Sequence, residues 1–259
     1  MNKVSELNAI LSKSFNWHKS RMNCLTQILI ALFTVKTVNL RELAVAMVSK
    51  TQINSREQRL YRFFAHFKID SFQIASWLYK LFVANGEKVY IAIDRTNWFW
   101  GKSAINIFML SICFEGIAIP ILWRVLPKDG TSSGKEQITL CQRFVDGFGD
   151  DCIEGLLADR EFANKQFITW LDSLEIPFYI RVKGDSMISI KGRKWQKASY
   201  VFSDVKPYKT KVFGMRSEIF GGKYYLTASS NERGELMIIV TNADYKNAIA
   251  IYLRRWEIE

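Results

Sequence analysis

The hydrophobic period of this 259-residue chain changes once, and that change constrains the fold more than any other feature. Up to about residue 85, apolar residues recur at three and four spacing in "CLTQILIALF", "NLRELAVAMV", "SREQRLYRFFAHF" and "SFQIASWLYKLFV". That is the signature of packed helices. "NGEK" (85–88) interrupts the run, and the segments that follow alternate with a period of two: "VYIAIDRT" (89–96), "NIFMLSICF" (106–114) and "IAIPILWRVL" (117–126). Period two places successive side chains on opposite faces of a sheet. A helical bundle followed by a sheet is therefore expected, with Glu115-Gly116 turning the second strand into the third.

Beyond these strands the sequence alternates. A helix capped near Ser133, the short apolar strand of "IEGLLADREF", a helix over 163–174 and the strand "PFYIRVK" (177–183) predict a mixed α/β sheet with helices packed on it. Residues 185–243 carry short strand-like stretches and read as a β-rich insertion before a last helix that starts near Asp244. The predicted division is 1–87, 88–184, 185–243 and 244–259. Asn39 with Glu42, and Ser55 with Gln58, have capping-box spacing at two helix starts.

Composition narrows the chemistry. Hydrophobic residues make up 49%, enough for a sizeable core. Four cysteines without C-x-x-C spacing and two histidines support neither a zinc site nor a disulfide framework, and predict a reducing intracellular setting. Met1–Lys19 is polar and lacks the features of a signal peptide. The longest apolar stretch, 105–123, is broken by Asn106 and Glu115-Gly116, so it reads as a hairpin and not a membrane span. The net charge of +11 is uneven: residues 1–87 hold 12 Lys+Arg against 5 Asp+Glu, 88–183 hold 11 against 12, and 184–259 hold 13 against 8. Two basic flanks around a carboxylate-rich middle fit a polyanion partner, nucleic acid first; a solubilising excess is the other reading. Arg56, Arg59 and Arg62 recur every three residues, either as a ridge along phosphates or as a solvated face. Trp195, with Lys194 beside it in "KGRKWQK", is a candidate to stack on an unpaired base.

Three carboxylates stand out. Asp94 and Asp159 each end an otherwise apolar strand, where sheets open to ligands, although a turn residue or helix cap is the plainer reading of either alone. If 248–259 is helical, Tyr252, Arg255 and Glu259 fall at i, i+3 and i+7 on one stripe. Hard oxygen ligands without Cys or His suit magnesium, and two such ions assist phosphoryl transfer.

"AIDRTNW" around Asp94, "LADREF" around Asp159, and Y-x-x-R-x-x-x-E over Tyr252, Arg255 and Glu259 resemble the DDE transposases, and among them the insertion-sequence-four family of bacterial mobile elements. The resemblance covers nearly the whole chain. It implies a ribonuclease H-like catalytic core with an N-terminal helical DNA-binding region and a β-rich insertion. It further implies cut-and-paste DNA transposition with Mg2+ in a two-metal site, Mn2+ as a substitute, and Asp94, Asp159 and Glu259 as catalytic metal ligands. Tyr252 and Arg255 are then phosphate-contacting residues; Arg160 and Glu161 match the second motif and either support the ligands from behind or, for Glu161, serve as a helix-start charge. The implied partners are double-stranded DNA at transposon ends and a second copy of the chain, with no membrane, in the bacterial cytoplasm at the nucleoid. In that family the last signature runs on through six residues to a Lys, absent here after Glu259. The resemblance thus also predicts a chain cut short within its last helix that cleaves DNA poorly, or acts as an inactive or inhibitory DNA-binding derivative.

Overall fold

A computed structural model of the chain describes residues 3–83, 86–101 and 103–258, without the side chains of Trp100, Glu257 and Ile258. Two compact units are present, Met1–Trp77 and Leu78–Glu259. The first holds helices α1 (Lys3–Ser14), α2 (Lys19–Val35), α3 (Leu40–Ala46), α4 (Ile53–His66) and the start of α5 (Ser71–Phe82). Apolar residues three and four apart on α2, α3 and α4 converge in a core of Cys24, Ile28, Leu43, Met47, Leu60 and Phe63.

The Asn39 cap is present, its side chain accepting from the backbone N–H groups of Arg41 and Glu42. The expected cap at Ser55 is not. Helix α4 starts at Ile53, with Gln52 at the cap position and no side-chain cap bond. The cause is Arg56, which donates from Nε to the Thr51 carbonyl at 2.8 Å, from Nη1 to Met47 at 2.9 Å and from Nη2 to Ser49 at 2.8 Å. This fork folds the 47–51 segment onto the helix, and the helix begins two residues before Ser55.

The second unit is built on one eight-stranded sheet, ordered β3-β2-β1-β4-β5-β10-β9-β8. Its strands are β1 (Val89–Trp100), β2 (Ser103–Phe114), β3 (Ile117–Leu126), β4 (Ile153–Ala158), β5 (Phe178–Val182), β8 (Thr210–Ile219), β9 (Gly222–Ser230) and β10 (Leu236–Thr241); β6 (Met187–Ile188) and β7 (Gln196–Lys197) pair separately. β1, β2 and β3 are mutually antiparallel neighbours, whereas β4 runs parallel to β1 and β5 parallel to β4. Helices α6 (Gly134–Phe148) and α7 (Lys165–Ser173) make the crossovers before β4 and β5. This order, with these directions, is the ribonuclease H-like arrangement. Both residues of the β2–β3 turn, Glu115 and Gly116, have positive φ (46° and 83°), as a two-residue hairpin turn of matching twist requires. Pro120 is tolerated in β3 because that strand is an edge.

The segment 185–243 is rich in strands, and three of them continue the main sheet through the antiparallel pairing of β10 with β5. β1 runs further than the expected 89–96. Its pairing with β4 ends at Ile93↔Ala158, but its pairing with β2 persists to Trp100↔Ser103; β3 still flanks β2 as far as Asn106, so β1 continues past Asp94 in a three-stranded section to Asn97 and in a two-stranded ribbon beyond it. α8 (Ala198–Val201) and α9 (Ala248–Leu253) complete the helices, and α9 tightens into a 3-10 turn over Arg254–Ile258. The last helix therefore starts four residues after Asp244. The Asp244 side chain is occupied there in a turn, accepting from the backbone N–H groups of Lys246 and Asn247.

The loop after β3 is closed by the Ser133–Glu136 capping box. Burial acts to raise the Glu136 carboxyl, but hydrogen bonds from Lys128 (2.6 Å) and from the Ser133 backbone and hydroxyl outweigh it and hold the pKa at about 2. A depressed carboxylate contributes stability above its unfolded value near 4.5 and loses it as pH falls through its folded value. Thermal melts of wild type and Glu136→Gln therefore differ most at neutral pH, and the difference narrows as pH falls from about 4.5 towards about 2. A gap constant across that window contradicts the arrangement.

Candidate active site

The parallel register decides where the carboxylates stand. Ala92 pairs with Leu157 and Ile93 with Ala158, so Asp94 and Asp159 follow at the same level on neighbouring strands. Period two gives Asp94 the face of Ala92 and Asp159 the face of Leu157. That face is covered by α9: Ala92, Leu157, Tyr179, Ile239, Ala248 and Tyr252 form one buried cluster. The turn from α9 into its 3-10 extension keeps residues three apart on one side. Tyr252 and Arg255 consequently both face the carboxylate pair.

The contacts form a chain. The Tyr252 hydroxyl donates to Asp159 Oδ1 at 3.3 Å and accepts from Arg255 Nε at 3.3 Å. Arg255 Nη1 lies 3.6 Å from Asp94 Oδ2, and Arg181 Nη1 lies 4.0 Å from Asp159 Oδ1. The backbone N–H of Arg95 donates to Asp94 Oδ1 at 2.8 Å. Arg255 is only 4% exposed, whereas the Asp94 and Asp159 side chains are 32% and 30% exposed. The cation is thus buried behind the carboxylates, which keep an open side. Burial pushes the Tyr252 phenol up; Arg255 opposes this and Asp159 adds to it, so the hydroxyl stays a neutral donor. The rings of Tyr252 and Trp256 lie 5.8 and 5.2 Å from the Arg255 guanidinium, and Arg254 sits 4.8 Å over Tyr90.

Glu259 lies outside the described residues. Glu161 accepts a fork from Arg95, Nε at 3.1 Å and Nη2 at 2.9 Å. Arg95 points to the face opposite Asp94, is 8% exposed in its side chain, and also donates to Asn97 at 2.5 Å and to the buried Asn106 at 3.5 Å. Asn106 in turn donates to the carbonyls of Lys128 and Gly130, tying the loop before α6 to the ribbon. Arg160 lines a polar cavity of about 250 Å³ with Thr131, Glu161, Lys183 and Ser186. Lys194 and Trp195 lie on the exposed segment before β7, outside the carboxylate network. Arg56 is turned inward to the 47–51 backbone, and Arg59 donates to the Ser20 carbonyl and to Asn23 Oδ1, both at 3.0 Å. Arg62 donates to the Gln58 carbonyl at 3.3 Å.

Sequence reading overlooked Arg181 and Arg95. The signal for Arg181 was available: a lone cation inside "FYIRV", two residues after a tyrosine on the same face. Nothing local distinguishes Arg95, whose importance comes from partners 66 and 11 residues away.

No family model and no curated protein sequence matches the chain. Among solved structures it is similar to a piggyBac transposase synaptic complex with hairpin DNA, at 10% identity and a TM-score of 0.47 over 98% of this chain. The chain spans 63% of the length of that protein. It is also similar to an endonuclease V from Bacillus subtilis, at 8% identity and a TM-score of 0.36 over 72% of this chain and 83% of the other. At these identities the likeness says nothing of chemistry.

If Arg255 holds Asp94 by charge, the two are energetically coupled. Arg255→Met should lower stability by about 1.5–3 kcal/mol, the range for a hydrogen-bonded charged group. In an Asp94→Asn background it should cost less, with a coupling of about 0.5–3 kcal/mol in a double-mutant cycle of urea unfolding. Additive losses would show that the 3.6 Å contact carries no energy.

Proposed function

We propose that this chain is a DNA transposase of the DDE type, of the insertion-sequence-four kind, which cleaves DNA strands and transfers the ends with the help of magnesium. One observation carries the reading: Asp94 and Asp159 lie level on neighbouring parallel strands, on the face that Tyr252 and Arg255 cover. Double-stranded DNA at element ends is the substrate, and a pair of chains acts on it, at the nucleoid. No helix among the described residues is long and apolar enough to cross a membrane.

The donor set suits magnesium. Two partly exposed carboxylates, level on adjacent strands, offer hard oxygens on their open side. Among the described residues no cluster of three His, Cys, Asp or Glu is present; the third ligand in this reading is Glu259, which the resemblance implies and which lies outside the described residues. Asp94, Asp159 and Glu259 would hold Mg2+ or Mn2+, which supplies charge neutralisation and an activated oxygen nucleophile for phosphoryl transfer.

The chain's own groups do the rest. Arg255, buried behind Asp94, holds that carboxylate against its neighbour and presents positive charge towards an incoming phosphate. Tyr252 fixes the rotamer of Asp159 by donating to Oδ1 while its ring seals the floor of the site. Arg181 approaches Asp159 from β5, so the DNA strand enters between cations on β5 and on the α9 extension. Arg95 and Glu161 brace the opposite face, joining the β1–β2 ribbon to the segment after β4.

Supercoiled plasmid provides the test. The chain should nick it, though weakly as the resemblance predicts, with Mg2+ or Mn2+ and not with chelator, and Asp94→Ala and Asp159→Ala should each reduce nicking to background; duplex binding without any nicking would favour the inactive DNA-binding derivative. Arg255→Lys should retain part of the activity that Arg255→Met loses, since a point charge replaces a fork. Nicking that survives in both aspartate variants refutes the proposal.

A further inference from the structure

A second feature lies within the helical unit. Helices α2 and α4 enclose a cavity of about 390 Å³, lined by Ser20, Arg21, Cys24, Arg59, Arg62 and Phe63. Three guanidinium groups on one cavity repel one another unless an anion is present. Among the described residues none of the three forms an ion pair with a carboxylate. The unit has few carboxylates to offer, and Glu57 on α4 is taken by Arg41 at 2.6 Å.

Each guanidinium is nevertheless held in place. Arg21 lies 5.6 Å over the Phe67 ring. Arg59 bonds the Ser20 carbonyl and Asn23, and Arg62 bonds the Gln58 carbonyl through Nε. A guanidinium has five N–H donors, so these contacts leave most of them over. Fixed forks with spare donors match the oxygens of a phosphate group. Cys24 forms part of the wall. Burial pushes its thiol up, against the pull of the Arg59 and Arg21 charges, so it stays a protonated, unreactive wall residue.

We propose that this cavity binds a phosphate of the DNA backbone through Arg21, Arg59 and Arg62, anchoring the duplex on the helical unit. The inference rests on the reading of the protein as a DNA enzyme and adds the place and the residues of one contact. Arg59 also ties α4 to α2, so Arg21 and Arg62 are the positions to change. Of the arginines read on α4 either as a phosphate ridge or as a solvated face, Arg59 and Arg62 belong to this site together with Arg21 of α2, and Arg56 is left out because its donors are taken by the 47–51 backbone. Three-residue steps on an α-helix rotate by about 60° each, which is why the three α4 arginines do not share one direction.

The measurement is binding of the full chain to a labelled duplex by fluorescence anisotropy, in chelator, over a series of salt concentrations. Arg21→Ala/Arg62→Ala should flatten the slope of log K against log[salt] by about 1, the release from one phosphate contact, and to the same degree on duplexes of unrelated sequence. Arg21→Lys/Arg62→Lys should retain most of the slope, and thermal melts without DNA should report both variants folded. An unchanged slope in the alanine variant overturns the inference. Melts in inorganic phosphate separate the two sources of the ligand: stabilisation of wild type but not the alanine variant, with the DNA slope unchanged, makes the cavity a site for free phosphate and overturns the DNA assignment. Chelator keeps the carboxylates out of the measurement. Intact nicking with an unchanged slope therefore sinks the cavity alone, whereas a flattened slope with nicking indifferent to Asp94→Ala sinks the cleavage reading alone.

Discussion

Two carboxylates held level on adjacent parallel strands repel each other, and much of the second unit is arranged around that repulsion. The register Ile93↔Ala158 fixes their separation along the strands, and period two gives them one face. Neither can turn away without breaking the sheet centre, where Ile91, Ala92, Leu156 and Leu157 are fully or almost fully buried. Relief comes from outside the two strands. Arg255 approaches Asp94, Arg181 approaches Asp159, and the Tyr252 hydroxyl links the two sides by donating to one carboxylate and accepting from the arginine of the other. The aromatic floor is what makes a buried arginine tolerable, since its charge lies against the faces of Tyr252 and Trp256 while its N–H groups point to the oxygens.

The ribbon formed by β1 and β2 beyond Asp94 has a separate bracing. Arg95 is nearly buried, and its fork to Glu161 works from the opposite face of the sheet. That hydrogen bond, working against burial, keeps the guanidinium firmly charged. Because Asn106 joins the same network to the carbonyls of Lys128 and Gly130, the loop leading to α6 is tied to the strand that carries Asp94. The two faces thus divide their work: one gathers charge around the aspartates and the other fixes the backbone beneath them.

Much of this was legible in the residues, and the reasons are local. The helix cap at Ser133 and the Glu115-Gly116 turn each depend on neighbours within four residues, and each appears where its sequence predicts. Asp94 and Asp159 were visible as charges ending apolar runs. What sequence could not give was partnership at a distance. The second motif reads Glu161 either as a support of the ligands or as a helix-start charge, and its partner Arg95, 66 residues away, is not legible in the sequence. Ser55 has the right spacing for a cap, yet the Arg56 fork moves the helix start. The stretches of 185–243 looked like an insertion because nothing in them names a partner. Their pairing through β10 to β5 makes them an extension of the same sheet.

The position of Arg255 along the chain bears on how the protein is made. The aspartates leave the ribosome long before the arginine that holds them, and Tyr252 is separated from Asp159 by 93 residues. Synthesis at about 5–20 residues per second puts about 8–30 s between Asp94 and Arg255. During that interval β1 and β4 are available to pair, but their carboxylates have no cation from α9 and the cluster around Tyr252 has no lid. The nascent chain is therefore an incomplete site in which Asp159 already has Arg181 but Asp94 gains the cation of Arg255 only as the last helix docks.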